Sequence, residues 1–282
     1  MAVRPRGQSP RVGRRRARSS RGRHRVTAEV RRALASVWTD REAASLYRYR
    51  APYPPVLFEA LRRFVVPPPV VLDAGCGTGA LSRHLGAFAS RIDAIDPSAA
   101  MIEEGRRLSG GDDPRIRWIV GAAESAPLDP PYGLITCGKS LHWMDHDVVM
   151  PRFADVLAPG GRLVVVDDDV GYPPLWKKDL IAIIERHSPV NPSAFKDLFG
   201  DLQRRGLFER HGFLRTTVAP FEQSVEDFIR ALQSTSSLSR VTLGERTDAF
   251  AADVRALFAR LGITRIALPV AAMVVWGRPL RP

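Results

Sequence analysis

The chain has 282 residues, of which 45% are hydrophobic, and a formal net charge of +12. This length allows one large α/β domain with an elaborated cap. No run of about eighteen apolar residues is present, which excludes a membrane-spanning helix. The two cysteines, Cys76 and Cys137, are too few for a disulfide framework or a zinc site. Because no apolar signal segment opens the sequence, we expect a cytoplasmic protein.

The positive charge is concentrated near the N-terminus. Residues 1–32 contain twelve arginines and one glutamate, a net charge of +11, whereas the remaining residues carry 30 basic and 29 acidic side chains. We therefore predict a disordered, arginine-rich tail over residues 1–26 and a nearly neutral folded domain over residues 27–282. Such a tail is usually a solvated extension, although arginines also bind nucleic acid weakly by releasing counterions.

Two helical patterns precede the first strand. Apolar side chains recur at helical spacing over residues 30–38 and again over residues 56–64. The run Pro67-Pro68-Pro69 ends the second pattern. These features predict an N-terminal helical flap over residues 27–66.

From residue 67 onward, short apolar strands alternate with helical segments. The five strand-like runs cover residues 70–73, 91–96, 116–120, 132–137 and 162–166. Because such alternation produces a parallel sheet with helices on both faces, we predict a doubly wound, mostly parallel, seven-stranded α/β sheet of the Rossmann-like type. Residues 67–170 are its predicted cofactor-binding core. Residues 171–282 are expected to supply a helical cap and the C-terminal strands.

A glycine-rich loop follows the first strand, in the run Leu72-Asp73-Ala74-Gly75-Cys76-Gly77-Thr78-Gly79. Glycines allow a tight turn there and let the backbone approach a ligand closely, since no Cβ intervenes. The second strand ends in Asp96, whose carboxylate is placed to accept both hydroxyl groups of a ribose. Pro97 and Met101 follow it and could pack on the faces of an adenine. This arrangement predicts a site for an adenosine ligand.

Four segments in this order resemble the motifs of class I S-adenosylmethionine-dependent methyltransferases. They cover residues 70–79, 95–101, 121–128 and 157–163. Within that superfamily, Tyr49-Arg50-Ala51-Pro52-Tyr53-Pro54 and Ser140-Leu141-His142-Trp143 are similar to the type 11 and trans-aconitate methyltransferase-like small-molecule groups. The resemblance implies S-adenosylmethionine as the cofactor and the cofactor-binding residues Asp73, Gly75, Cys76, Gly77, Gly79, Asp96, Pro97, Met101, Ala123 and Glu124.

Two positions depart from the family pattern. Ala122 stands where these families often have an acid that bonds the adenine amino group, which shifts that role to Glu124 or to the backbone at Ala123. Arg50-Ala51 replaces the usual Arg-Pro pair, so the flap is expected to sit differently.

Two other motifs have competing explanations. Residues 75–80 also match the dinucleotide fingerprint of dehydrogenases, but the third glycine at Gly79 and the preceding Asp73 favour a methyl donor. Asp129-Pro130-Pro131-Tyr132 spells the tetrapeptide of methyltransferases that act on amino groups of nucleic-acid bases. In those enzymes it must end a strand, beside the flipped base. Here it begins the fourth strand, so we interpret it as a loop.

Two acidic or histidine-rich runs lie near the predicted site. His142 and His146 have a spacing that could hold a metal ion, but we predict no metal, because methyl transfer from a sulfonium needs none in most cases. Asp167-Asp168-Asp169 ends the fifth strand at the edge that faces the acceptor. It could bind a cation, although we interpret it as a solvated turn.

Methyl transfer requires chiefly alignment of the acceptor atom and exclusion of water, and alignment can lower a barrier by roughly 7–11 kcal/mol. His142 follows the fourth strand and is the candidate general base, with a positioning or core role as the alternative. Trp143 is expected to form an aromatic wall near the positive charge. Tyr49, Arg50 and Lys139 are candidate contacts to carboxylates of the donor or acceptor.

The sequence therefore predicts methyl transfer to an O, N or C nucleophile of a small molecule. It identifies neither the acceptor nor the oligomeric state. Residues 171–240, which are expected to form a lid over the acceptor, have no dense basic stripe with interleaved aromatic residues, which argues against nucleic acid as a partner. The alternative is an RNA or protein methyltransferase that docks its substrate through the basic tail.

Overall fold

The computed structural model describes residues 36–189 and 197–281. The predicted tail, residues 1–26, and the beginning of the predicted flap, residues 27–35, lie outside the described residues. Within the described ranges, no helix has the length and apolar character needed to cross a membrane.

Eight strands form one central sheet in the described part of the chain. They are β1 Val70–Ala74, β2 Arg91–Asp96, β3 Ile116–Val120, β4 Tyr132–Gly138, β5 Leu157–Val170, β6 Phe208–Arg215, β7 Ala219–Ser224 and β8 Arg265–Pro279. The strand order is β3–β2–β1–β4–β5–β8–β6, and β7 also pairs with β8. The strands β1 to β5 are mutually parallel, whereas β8 runs antiparallel to β5, β6 and β7.

The doubly wound, mostly parallel α/β fold is confirmed, with one strand more than the seven predicted. Neither β6 nor β7 has a range in the sequence prediction, and β7 lies after β6 along the same edge of β8. Both fit there because β8 extends over 15 residues. Val270 of β8 pairs with Val170 of β5 on one side and with Ala219 of β7 on the other.

Ten α-helices flank the described part of the sheet or build the cap. They are α1 Arg41–Ser45, α2 Pro55–Arg62, α3 Ser82–Leu85, α4 Ala99–Arg107, α5 His146–Val156, α6 Pro174–His187, α7 Leu198–Arg204, α8 Val225–Gln233, α9 Arg240–Leu243 and α10 Thr247–Arg260. Short 3-10 turns cover Ser36–Thr39, Leu46–Tyr49, Leu141–Trp143 and Gly244–Arg246. Side-chain caps set two of the helix starts: Ser98 Oγ accepts from the Met101 N–H (3.1 Å), and Ser224 Oγ accepts from the Asp227 N–H (3.0 Å).

Three hydrophobic clusters hold these layers together. Alternate strand residues face opposite sides of the sheet, so Leu72 joins one cluster and Val71 joins the other. A third cluster fills the cap, where Trp176 packs edge-on against Phe228 and Phe258. The cap therefore has a core of its own, packed on the β7–β8 end of the sheet.

A buried polar network fixes the first residue of β4. The Tyr132 hydroxyl donates to Asp93 Oδ2 (2.6 Å) and accepts from the Asp129 N–H (2.9 Å), while Arg117 Nε lies 3.0 Å from Asp93 Oδ1. Tyr132 and Asp93 are both fully buried. The Asp129–Tyr132 motif thus lies at the opposite end of β4 from Gly138, as its interpretation as a loop requires.

Candidate active site

The glycine loop lies at the carboxyl ends of the parallel strands, where it connects β1 to α3. The N–H groups of Gly75 and Cys76 both donate to the Ile95 carbonyl, at 2.8 and 3.0 Å. The next N–H, that of Gly77, donates to Asp96 Oδ2 at 2.8 Å. The loop is therefore bound along its length to the end of β2, at the edge where doubly wound sheets bind ligands.

Asp96 ends β2 with a carboxylate that is 9% exposed. Its Oδ2 accepts from Gly77, and its Oδ1 accepts from the Ser98 N–H at 2.8 Å. Burial raises the pKa of Asp96 to about 6, although the two N–H groups lower it. Since each carboxylate oxygen has two lone pairs, both oxygens keep an acceptor position for a ligand hydroxyl.

The three loop glycines have different surroundings. A Cβ at Gly75 would lie 2.4 Å from Ser140 Cβ, and one at Gly79 would lie 2.4 Å from the Trp118 ring. Close packing therefore excludes side chains at both positions. Gly77 has φ of +56°, but a Cβ there would meet nothing within 4 Å. The open face of the loop, where a ligand can approach the backbone, is at Gly77.

Asp73 is placed differently from Asp96, although both are predicted cofactor residues. It is 1% exposed, and its carboxylate accepts from Ser82 Oγ (2.5 Å), from the Ser82 N–H (3.2 Å) and from Thr136 Oγ1 (2.9 Å). Burial raises its pKa, and these hydrogen bonds lower it. Asp73 therefore joins β1, β4 and the start of α3 and holds the base of the loop.

The residues predicted to contact adenine lie beside α4 and after β3. Pro97 is exposed, whereas Met101 and Ala123 are buried. Glu124 Oε1 accepts from the Asp145 N–H at 2.8 Å, next to the start of α5. One oxygen of Glu124 is thus engaged by the protein, and the other forms no hydrogen bond to a described residue.

The flap covers the end of β2 with two aromatic residues that the motifs do not indicate. Trp38 accepts a hydrogen bond at its carbonyl from Ser98 Oγ (2.5 Å), and its ring lies edge-on to Trp143, with centroids 4.6 Å apart. Burial raises the pKa of Tyr47; nearby Arg50 lowers it, and the charge of Asp96 raises it further. No local spacing relates these residues to Asp96, so only the folded chain shows their proximity.

The turn after β4 brings the predicted catalytic residues to the glycine loop. Ser140 Oγ donates to the Ala74 carbonyl at 2.6 Å, which joins this turn to the end of β1. His142 and Trp143 follow, partly exposed, with ring centroids 4.9 Å apart. Lys139 has a left-handed backbone (φ 54°) and forms an ion pair with Asp168 of β5. Thus the structure brings His142, Trp143 and Lys139 to one edge of the sheet.

Tyr53 is a further residue at this edge that the motif analysis does not single out. Its hydroxyl oxygen lies 3.4 Å from the position that a Cβ on Gly138 would take. Burial raises the pKa of Tyr53 well above its usual value, and the charges of Asp168, Asp167 and Asp73 raise it further. The phenol therefore stays protonated at neutral pH and can donate a hydrogen bond at the end of β4.

Tyr49 and Arg50 connect the flap to the cap. Arg50 donates from Nε to Ser234 Oγ and from Nη2 to the Ser234 carbonyl, both at 2.7 Å. The Arg230 guanidinium lies 5.1 Å from the Tyr49 ring centre. Arg50 and Lys139 line one cavity, but Tyr49 does not line it.

His146, the second histidine of the possible metal pair, is buried. Its Nε2 lies 3.0 Å from the Leu141 carbonyl, so it supports the turn that carries His142. Within residues 36–189 and 197–281, no group of three or more His, Cys, Asp or Glu side chains could hold a metal ion.

Sequence comparisons find known proteins that are similar to the region of the glycine loop. Residues 71–161 match a family model described as a methyltransferase domain. An uncharacterized methyltransferase of Mycobacterium tuberculosis is 34% identical over 149 residues, which cover 49% of this chain and 55% of the relative. A demethylmenaquinone methyltransferase of Clavibacter sepedonicus is 33% identical over 114 residues, covering 38% of this chain and 44% of that protein. The chain thus spans about half the length of the curated relatives it matches.

A solved structure gives a longer match. A protein of Anaeromyxobacter dehalogenans, whose structure is named as that of a type II methyltransferase, has a TM-score of 0.57 and 25% identity to this chain. The match covers 81% of this chain and 97% of that one. Residues 71–161 contain the glycine loop, Asp96 and the turn with His142. Residues 71–161 therefore match a methyltransferase domain, and they lie within a doubly wound, Rossmann-like sheet.

Proposed function

We propose that this protein transfers a methyl group from S-adenosylmethionine to an oxygen, nitrogen or carbon nucleophile of a small molecule by in-line displacement. The observation that carries the proposal is the Asp96 carboxylate, held by the Gly77 and Ser98 N–H groups beside the open face of the glycine loop. Its remaining acceptor positions suit a ribose diol.

The residues present fit the methyl donor. Asp96 and the Gly77 backbone would hold its ribose side, while Met101, Ala123 and Glu124 would hold its adenine. When bound, S-adenosylmethionine supplies a methyl group that its sulfonium charge has already activated. The protein then has to orient the acceptor, exclude water and, for acceptors that must lose a proton, receive it.

Three side chains around the turn after β4 are suited to these tasks. His142 would accept a proton from the acceptor, because an imidazole titrates near neutral pH. Trp143 would form a wall whose π face favours a cation nearby. Together with Trp38 of the flap, which lies 4.6 Å away between ring centroids, Trp143 would keep water from the donor.

A small acceptor is supported by the way in which the flap joins the cap. The Arg50–Ser234 hydrogen bonds join the flap to the cap beside a cavity of small-molecule size that Arg50, Lys139 and Asp168 line. A relative named for demethylmenaquinone also acts on a small molecule. Within the superfamily, we assign the chain to the type 11 or trans-aconitate-like group, on the flap run Tyr49–Pro54 and the turn after β4.

The proposal is tested with S-adenosylmethionine that carries a labelled methyl group, incubated with the protein and cell extract. We expect label in the small-molecule fraction, both for the full chain and for a variant lacking residues 1–25. The alternative, an RNA or protein methyltransferase that docks through the tail, would place label in a macromolecular fraction. That label would also fall on removal of the tail and with rising salt.

The Gly77→Ala substitution should weaken S-adenosylmethionine binding at least about tenfold, because the new methyl group would fill the ligand face of the loop. Gly160→Ala is the matched control, since Gly160 also has a positive φ (79°) with open space at its Cβ. Both variants should lose about 1–2 kcal/mol of unfolding free energy through left-handed strain. Titration calorimetry and denaturant unfolding measure the two effects, and equal donor affinity in both variants would contradict the site.

Donor affinity should fall about tenfold between pH 7 and pH 5. Burial holds the pKa of Asp96 at about 6 in the free protein, and the ionised carboxylate is the form that accepts ribose hydroxyls. Lowering the pH through 6 therefore protonates the binding group. Calorimetric titration at both pH values measures the change, with Asp96→Asn, which cannot ionise, as a weakly binding and pH-independent control. If the donor affinity of the wild type does not change with pH, Asp96 does not have this role.

The His142→Ala substitution should lower kcat about 100-fold for an acceptor that must lose a proton. Its dissociation constant for S-adenosylmethionine should stay within about twofold of the wild type, because the imidazole would act on the acceptor. His211→Ala, on the distant strand β6, is the control and should keep both values. A loss of donor affinity that matches the loss of turnover would assign His142 to donor binding instead.

A further inference from the structure

A cavity of about 280 Å³ lies between the carboxyl ends of β4 and β5 and the cap. Lys139 and Asp168 line it on the sheet side, and Tyr172, Phe228 and Leu232 line it on the cap side. The Tyr172 and Phe228 rings meet edge-on at 6.1 Å. The volume is just below the range of small-molecule pockets, which span about 300–1,000 Å³.

The charged side chains of this cavity already have partners within the protein. Lys139 is paired with Asp168. Asp169 accepts from Arg215 Nε at 2.5 Å, and Arg50 donates to Ser234 through two of its nitrogens. Because these contacts satisfy the charged groups, the cavity offers a ligand an aromatic and aliphatic wall at Tyr172, Phe228 and Leu232 beside polar groups that are already paired.

Gln223 is a polar lining residue whose side-chain oxygen has no such partner among the described residues. It lies on β7, paired with Ile266 of β8, and is 7% exposed. Its Oε1 is buried and has no hydrogen-bond partner among the described residues. A buried acceptor without a donor is costly in the free protein. A bound molecule with a hydroxyl or N–H group would supply the missing donor.

We propose that this cavity is the acceptor pocket and that Gln223 selects a small molecule that places an aromatic or aliphatic part against Tyr172 and Phe228 and bears a hydroxyl or amine group. The inference rests on the proposed function, since it places the acceptor next to the β4 end, where His142 and Lys139 lie. A site that hydrogen-bonds a ligand hydroxyl discriminates strongly against an analogue without it, because the protein group is then left unpaired. Gln223 is thus a specificity-determining residue.

The test uses two probes of nearly equal shape, 4-methylphenol and 1,4-dimethylbenzene. They differ at one position of the ring, where the first has a hydroxyl group and the second a methyl group. Binding is measured by ligand-observed NMR in the presence of S-adenosylhomocysteine. We expect wild-type protein to bind 4-methylphenol at least about tenfold more tightly than 1,4-dimethylbenzene. In Gln223→Leu the ratio should fall to within about twofold, while Tm does not fall, because the variant removes an unpaired buried acceptor.

Gln203→Leu, on the exposed surface of α7, is the matched control and should keep the wild-type ratio. Gln223→Met is a second apolar variant, should leucine disturb the packing of β7. An unchanged ratio in both Gln223 variants, or no binding of 4-methylphenol up to about 5 mM, would overturn the assignment. The readout does not depend on turnover. A protein that binds S-adenosylmethionine and transfers label but fails this test loses only the pocket assignment.

Discussion

Two backbone N–H groups hold the Asp96 carboxylate where β2 ends, and most of the site geometry depends on that contact. The Gly77 N–H belongs to the glycine loop, and the Ser98 N–H belongs to the residue that caps α4. One side chain therefore sets the loop, the strand and the helix relative to one another. Ser98 also donates to the Trp38 carbonyl, so the flap is positioned through the same contact.

Asp73 and Asp96 show that two residues of the same type can have different roles, depending on their hydrogen-bond partners. Both are buried carboxylates at strand ends, and burial raises the pKa of both. Asp73 is surrounded by protein donors from Ser82 and Thr136, which suits a structural role. Among the residues that the structure describes, Asp96 has only two backbone donors, and it keeps acceptor positions. This arrangement leaves part of the desolvation penalty of Asp96 uncompensated in the free protein. A ligand that donates hydrogen bonds offsets that penalty, as a binding site requires.

The sequence predicts best those features that arise from neighbouring residues. The parallel core, the glycine loop and Asp96 follow from strand periodicity and from the need for close backbone approach. The sequence gives no range for β6 or β7, because it predicts a helical cap over that part of the chain. Pro220 interrupts the pattern of β7, and both strands pair with the long strand β8. The contacts of Arg50 with Ser234 join positions 184 residues apart, and no local spacing encodes them. The same holds for Trp38, Tyr47 and Tyr53, whose roles arise only when the flap folds over the strand ends.

The charges at the carboxyl edge bear on how the proposed reaction is accelerated. Asp73 and Asp96 have no cation paired with them among the described ion pairs, so their field favours a positively charged ligand. A sulfonium loses its charge as the methyl group departs, so this attraction is strongest before the transition state. Such binding of the ground state increases affinity without increasing the rate of the chemical step. Acceleration must then come from alignment and from exclusion of water. In the proposed function, we assign those tasks to the flap and to the turn that carries His142 and Trp143, which the glycine motif does not contain.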